Sequence, residues 1–229
     1  METGVLVWWV ILCVVTALNI FAWIFSAVLL TRIKTTLSNT EYRLKQWLLW
    51  LSGIYVLGCG FRSVLPRVDV QRICLVDSWL SNIMIGRSIA TIAELCFVIQ
   101  WMLLLRIAGR DLGSDLSVKL SLLLVPIIFV AEIFSWYAVL TTNFIGHVVE
   151  ESLWTLAAIL LLVSFVSLLP RVNENMKLLV MTIIGTTAAY VVFMSAFDVP
   201  MYLSRWQTDT ALQQQYLSLS QGLHDLSTH

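Results

Sequence analysis

Apolar residues do not alternate with polar ones along this chain; they come in long runs. The stretch "VLVWWVILCVVTALNIFAWIFSAVLL" carries no charged residue, and a helix needs about 20 predominantly apolar residues to cross a bilayer core. Comparable runs recur to the C-terminal region, and we place six spans at about residues 5–30, 46–61, 81–105, 120–140, 151–169 and 178–197. The second is short and glycine-rich ("LSGIYVLGCGF"). The connections are short, so neighbouring helices should pack antiparallel. The expected fold is an all-α polytopic membrane protein: a six-helix up-down transmembrane bundle over residues 1–200 and an outward-facing amphipathic tail over 201–229. The first run is too long for a signal-peptide core and no basic residue precedes it, so it reads as a retained span. No lipidation or GPI signal is visible.

Composition agrees. Hydrophobic residues make up 59% of the 229 and charged residues only 12%, with mean hydropathy +0.86; a soluble surface needs more polar side chains than that. The net charge is zero, and with no basic cluster a nucleic-acid partner is not expected. Membrane lipid is the expected partner. The connections after spans one, three and five carry nine basic residues (Arg32, Lys34, Arg43, Lys45, Arg106, Arg110, Lys119, Arg171, Lys177) against four on the other side (Arg62, Arg67, Arg72, Arg205), or five with Arg87. Basic residues favour the cytoplasmic side, so both termini are expected on the non-cytoplasmic side of an integral, multi-pass protein. Among the outer arginines stand Asp69 and Asp77 in "GFRSVLPRVDVQRICLVDSW", which reads as a short interfacial helix with local ion pairs or a headgroup site.

Ionisable residues inside spans change the picture most. Arg87 and Glu94 are seven residues apart, about two turns, and share one helical face with Thr91. Glu132 lies near mid-depth of span four with Ser135 one turn on. In "GHVVEESLW", His147 stands at i,i+3 to Glu150 and i,i+4 to Glu151, so either carboxylate can meet the imidazole. Span six adds Thr182, Thr186, Tyr190 and Asp198, and Pro200 should end that helix. Under the expected topology Asp77, Arg62, His147, Glu150, Glu151 and Asp198 fall at the outer end, with Glu94 and Glu132 below them. They outline a polar funnel open outward.

Each charge also has a plainer reading. Arg87 and Glu94 serve equally as a buried structural pair, Glu150 as a charge favoured by a helix N-terminus, and Thr182 and Thr186 as hydroxyls bonded back to their own helix. Taken together, the charges point to an enzyme acting on a small amphiphilic or lipid substrate by hydrolysis or group transfer. Glu94, His147, Glu151, Asp77 and Asp198 would be its catalytic groups. Arg62, Arg87, Glu132, Glu150, Tyr190, Tyr202 and Arg205 would line the substrate. A divalent metal on His147, Glu151 and Glu94 would activate water, although the His-x-x-Glu-Glu spacing is a weak motif, and a metal-free acid/base version fits the same residues. Two alternatives stand beside this: a proton- or ion-coupled transporter or channel using Glu94 and Glu132, and a non-catalytic assembly protein whose polar interior sets helix register.

The cysteines offer little chemistry. Cys13 and Cys96 lie in spans; Cys59 and Cys74 could form a disulfide in an oxidising compartment. In the tail, Asp209 is expected to cap a helix over 210–221 that Gly222 ends. Leu212, Tyr216, Leu219 and Leu223 would form its apolar stripe, and the whole would act as a lid.

Overall fold

The computed structural model describes residues 3–228; His229, the last residue of the expected tail, lies outside the described residues. Among the described residues, six helices are long and apolar enough to cross a membrane: Thr3–Arg32, Asn39–Val64, Ile83–Asp111, Asp115–Thr141, Ile145–Arg171 and Glu174–Ala211. The protein is an all-α polytopic membrane protein. Its helices are α1 (Thr3–Arg32), α2 (Asn39–Val64), α3 (Ile83–Asp111), α4 (Asp115–Thr141), α5 (Ile145–Leu168), α6 (Glu174–Phe193), α7 (Val199–Ala211) and α8 (Leu219–Thr228). The chain forms two compact units, with the boundary inside α3 after Gln100.

In the first unit α1 and α2 form an antiparallel hairpin. Trp9 Nε1 donates to Val64 O (3.2 Å) and Trp23 Nε1 to Leu49 O (2.8 Å), so the start of one helix meets the end of the other. A capping box starts α2: Ser38 Oγ accepts from Glu41 N, and the Glu41 carboxylate reaches back to Ser38 N at 3.0 Å. This first turn is polar yet helical, so the second span begins earlier than its apolar run. Glycine in α2 is used for close approach. A methyl group on Gly58 would lie 2.6 Å from Ala93 Cβ on α3, and nearby Tyr55 stacks on Phe97 at 4.5 Å.

Between α2 and α3 the expected interfacial helix is absent. Instead β1 (Arg67–Val68) pairs antiparallel with β2 (Ile73–Cys74), Arg67 opposite Cys74 and Val68 opposite Ile73. The reversal needs a left-handed residue, and Arg72 supplies it at φ 58°. Arg72 Nη1 donates to Asp69 O at 2.7 Å and closes the turn. Cys59 and Cys74 are both free thiols.

The second unit is built on the α4–α5 hairpin. The buried stripe of α4 is Ser117, Ser121, Leu124, Ile128, Ala131, Glu132, Ser135, Ala138 and Val139, a helical period rich in small side chains. Its opposite face exposes Leu122, Leu123, Phe129, Val130 and Ile133. In lipid there is no hydrophobic drive between helices, so small residues that permit close packing belong inside and large apolar ones outside. Ser117 Oγ pairs with Ser167 Oγ at 3.1 Å near one end of the hairpin. At the other end, a methyl on Gly146 would sit 2.6 Å from Phe134 O and 2.8 Å from Ala138 N. Gly113, at φ 63°, lets the chain turn from α3 into α4, and Ser114 caps α4 by accepting from Ser117 N.

Two expectations for the C-terminal region are corrected. Pro200 does not end the last span. A π-helical turn, Met194–Asp198, joins α6 to α7, and Pro200 occupies the first turn of α7, where a missing N–H leaves no bond unmade. The tail helix is not 210–221. Gln213 adopts φ 51°, residues 214–218 are in no regular element, and α8 contains Gly222 instead of ending before it. Leu212, Leu219 and Leu223 are therefore not one buried stripe; all three are exposed. The tail docks on the end of α4: Leu217 N donates to Thr141 O at 3.0 Å, and Gly222 lies so close to Leu140 O that no side chain fits between them.

Candidate functional site

His147, Glu150 and Glu132 of the second unit gather near the α4–α5 turn. His147 stands in the first turn of α5, and its Nδ1 is hydrogen-bonded to Glu150 Oε2 at 2.6 Å. With Glu150 ionised, Nδ1 is the donor in this contact, and a neutral ring then carries its lone pair on Nε2. The i,i+3 spacing puts both side chains on one face of α5. The sequence left Glu150 and Glu151 equivalent; the hydrogen bond goes to Glu150, which is 4% exposed. Glu151, one residue on and half-buried, points about 100° away around the helix.

Glu132 approaches from α4. It is 3% exposed, and one of its carboxylate oxygens lies within 4.8 Å of one from Glu150. The hairpin register explains the meeting, since Gly146 packs on Phe134 and Ala138, and one turn further from the loop Glu150 is brought level with Glu132. Two buried carboxylates this close repel unless a proton or a cation is shared between them. Ser135, level with His147 in the same register, is fully buried, and its Oγ has no hydrogen bond among the described residues.

The α7 side supplies aromatic rings and a cation. Tyr202 lies against the imidazole, ring centroids 5.0 Å apart, and against Phe144 at 6.2 Å. The Arg205 guanidinium covers the faces of Phe144 (5.6 Å) and Tyr202 (5.9 Å). Cation–π contact uses the flat face and leaves the N–H donors at the rim, where none is hydrogen-bonded among the described residues. Asp198, in the π-helical turn, is within electrostatic reach of both Glu150 and His147. π-turns often mark functional positions because they re-aim side chains within a continuous helix.

The remaining sequence-predicted residues are described by their own surroundings. Tyr190 is on an exposed face of α6, 40% exposed. Thr182 and Thr186 bond back to Leu178 O and Thr182 O, each at 2.9 Å. In the first unit, Arg87 (4% exposed) meets Glu94 across two turns of α3, Nη2 to Oε1 3.9 Å. Arg62 lies 3.6 Å from Asp69, and Asp77 is exposed in the connection before α3. Of the residues that could hold a metal in the second unit, Glu132 and Glu150 offer carboxylate oxygens within 4.8 Å of each other. An imidazole whose other nitrogen is held by a carboxylate suits either a metal ligand or a general base. Phe144 was not anticipated; its signal was an aromatic three residues before the histidine.

Together fold and site define a multi-pass membrane protein with a half-buried histidine paired to a buried glutamate beside a second carboxylate. Compared with protein families, curated proteins and solved structures, the chain finds no match.

Proposed function

We propose that the protein is an integral membrane enzyme that hydrolyses, or transfers a group on, a lipid or other amphiphile, with His147 as its base. The observation that carries this reading is the 2.6 Å bond from His147 Nδ1 to buried Glu150, which orients the imidazole and leaves Nε2 to take a proton. Water, or an acceptor hydroxyl, gives its proton to Nε2 as its oxygen attacks the acyl or phosphoryl centre. Glu150 stabilises the imidazolium, which then protonates the leaving group. Arg205 holds an anionic part of the substrate at the rim, and Phe144 and Tyr202 contact its apolar part. The site opens to the non-cytoplasmic side, where both termini lie, and the tail docked on the end of α4 serves as its cover. A divalent metal bound through Nε2 with carboxylate help would supply an activated water at the same place.

The test compares cells expressing the wild-type chain with cells expressing His147→Ala or Glu150→Gln. Lipid extracts are read by mass spectrometry, and the purified full chains are incubated with the same extract in nanodiscs. The wild type should deplete one lipid class and raise its product, and both variants should slow this by about 100-fold or more. Stoichiometric metal in the wild type that is lost in His147→Ala selects the metal-assisted form. Identical lipid profiles for all three proteins, in cells and in nanodiscs, refute the enzyme.

The Glu132–Glu150 approach supports a second reading, cation- or proton-coupled transport. It requires Glu132→Gln to abolish ion flux into proteoliposomes while His147→Ala leaves the flux intact.

A further inference from the structure

The first unit carries a second concentration of charge, in the β1–β2 connection. Arg62, Arg67 and Arg72 stand in one segment with Asp69 and Asp77, which leaves one positive charge in excess. Asp69 is 9% exposed, and two of the guanidiniums share it at more than hydrogen-bond distance: Arg62 Nη2 at 3.6 Å and Arg67 Nε at 3.9 Å. Arg72 is committed to the turn through Asp69 O.

Arg67 is the unusual member. Its side chain is 9% exposed, and its Nε is buried with no hydrogen-bond partner among the described residues. Burial pulls this guanidinium below its ordinary pKa, an effect that Asp69 only partly offsets. A guanidinium has five donors in a planar fork. Burying the Nε–H unmatched is costly unless something else accepts it, and half-exposed Arg62 stands on the same carboxylate.

The surroundings say where the acceptor comes from. Val68 (48% exposed), Ile73 (60%) and Trp79 (78%) project from the same connection, which joins the end of one membrane span to the start of the next. Exposed tryptophan and aliphatic side chains beside arginines are the composition of a segment seated at headgroup level. Inorganic phosphate would satisfy the fork equally well, but it would have no use for the apolar rim.

We propose that Arg62 and Arg67 bind the phosphate group of a membrane lipid, with Asp69 holding the two guanidiniums near each other until the phosphate arrives. This site is independent of the His147 chemistry.

The probes are dioctanoyl phosphatidic acid and inorganic phosphate, titrated onto the full chain in a neutral detergent and read by native mass spectrometry and microscale thermophoresis. The lipid should bind, and more weakly as ionic strength rises. Arg67→Gln and Arg62→Gln should each weaken it at least about ten-fold. Arg67→Lys, which keeps the charge and loses the fork, should fall between. Asp69→Asn should tighten binding, because it removes the competing anion. A cluster that only holds the hairpin together makes the opposite prediction, a looser hairpin and no gain in affinity. Inorganic phosphate binding as tightly as the lipid supports the anion site but replaces its occupant with the free ion. No binding of either probe, an unchanged affinity in Arg67→Gln, or no gain in Asp69→Asn overturns the proposal.

Discussion

Replacing Gly146 with alanine adds one methyl group at the place where α5 meets α4 most closely. That methyl would lie 2.6 Å from Phe134 O and 2.8 Å from both Ala138 Cβ and Ala138 N. Two of these atoms are backbone and cannot rotate away. Ordinary contact is restored only if the start of α5 withdraws by about 0.7 Å, and a gap of that size forfeits roughly a quarter to a half of the dispersion energy across the seam. Overpacking of this kind costs about 1–3 kcal/mol. Alanine regains about 1 kcal/mol of helix propensity over glycine, which would blur the result if the variant were measured alone. Gly185 in α6 supplies the control, since a methyl there meets nothing within 4 Å. Both substitutions carry the same propensity gain, so their difference isolates the steric term. Reversible unfolding in mixed micelles, followed by tryptophan fluorescence, should place Gly146→Ala below Gly185→Ala by about 1–3 kcal/mol. Equal stabilities, or a more stable Gly146→Ala, refute the close seam. The same withdrawal carries His147 and Glu150 along together, because they share α5, but it moves Glu150 away from Glu132.

Ser38→Ala removes the half of the capping box that the Ser38 hydroxyl makes to Glu41 N and keeps the bond from the backbone N–H to the Glu41 carboxylate; it should cost about 1 kcal/mol, seen in the same unfolding assay and as faster amide exchange over the first turn. Gly222→Val cannot coexist with the Leu140 carbonyl; it should release α8, so that limited proteolysis cuts the tail while the spans stay intact. Arg87→Gln or Glu94→Gln alone leaves a charge in the membrane interior and should cost about 3 kcal/mol or more. The double variant should cost less than the sum, and strict additivity in the cycle would refute coupling across their 3.9 Å separation.

The spans were legible because about 20 apolar residues in a row have few other uses. Their ends were not, because helix ends are set by local hydrogen bonds instead of hydropathy. The polar Ser38–Glu41 box extends α2 before its apolar run, and the turn at Met194–Asp198 carries the last helix past Pro200. The tail misled for a related reason. Leu212, Tyr216, Leu219 and Leu223 have helical spacing, yet Gln213 in the left-handed region breaks the helix between the first two. Gly222 looked like a stop signal but serves as a contact surface for Leu140. The β1–β2 hairpin has two residues in each strand, too few for any period to show. At the site, the pairing of His147 with a nearby carboxylate was readable from spacing alone. Which carboxylate it would be was not, because i+3 and i+4 are equally near in a helix.

That last ambiguity is resolved by the face α5 turns toward α4. Glu150 is buried along with Gly146, Ala157 and Ala158, and these small residues set how closely the two helices approach. A carboxylate on that stripe is carried into the seam, where it must find a donor or another acid's proton. The imidazole one turn back is the donor that the chain supplies. Placing a large residue at Gly146 would widen the seam and admit lipid or water beside Glu150, which would weaken the advantage of a low-dielectric surrounding for the His147–Glu150 bond. The glycine that makes the hairpin tight is therefore also what keeps the His–Glu pair dry, so packing and chemistry at this end of the unit cannot be altered separately.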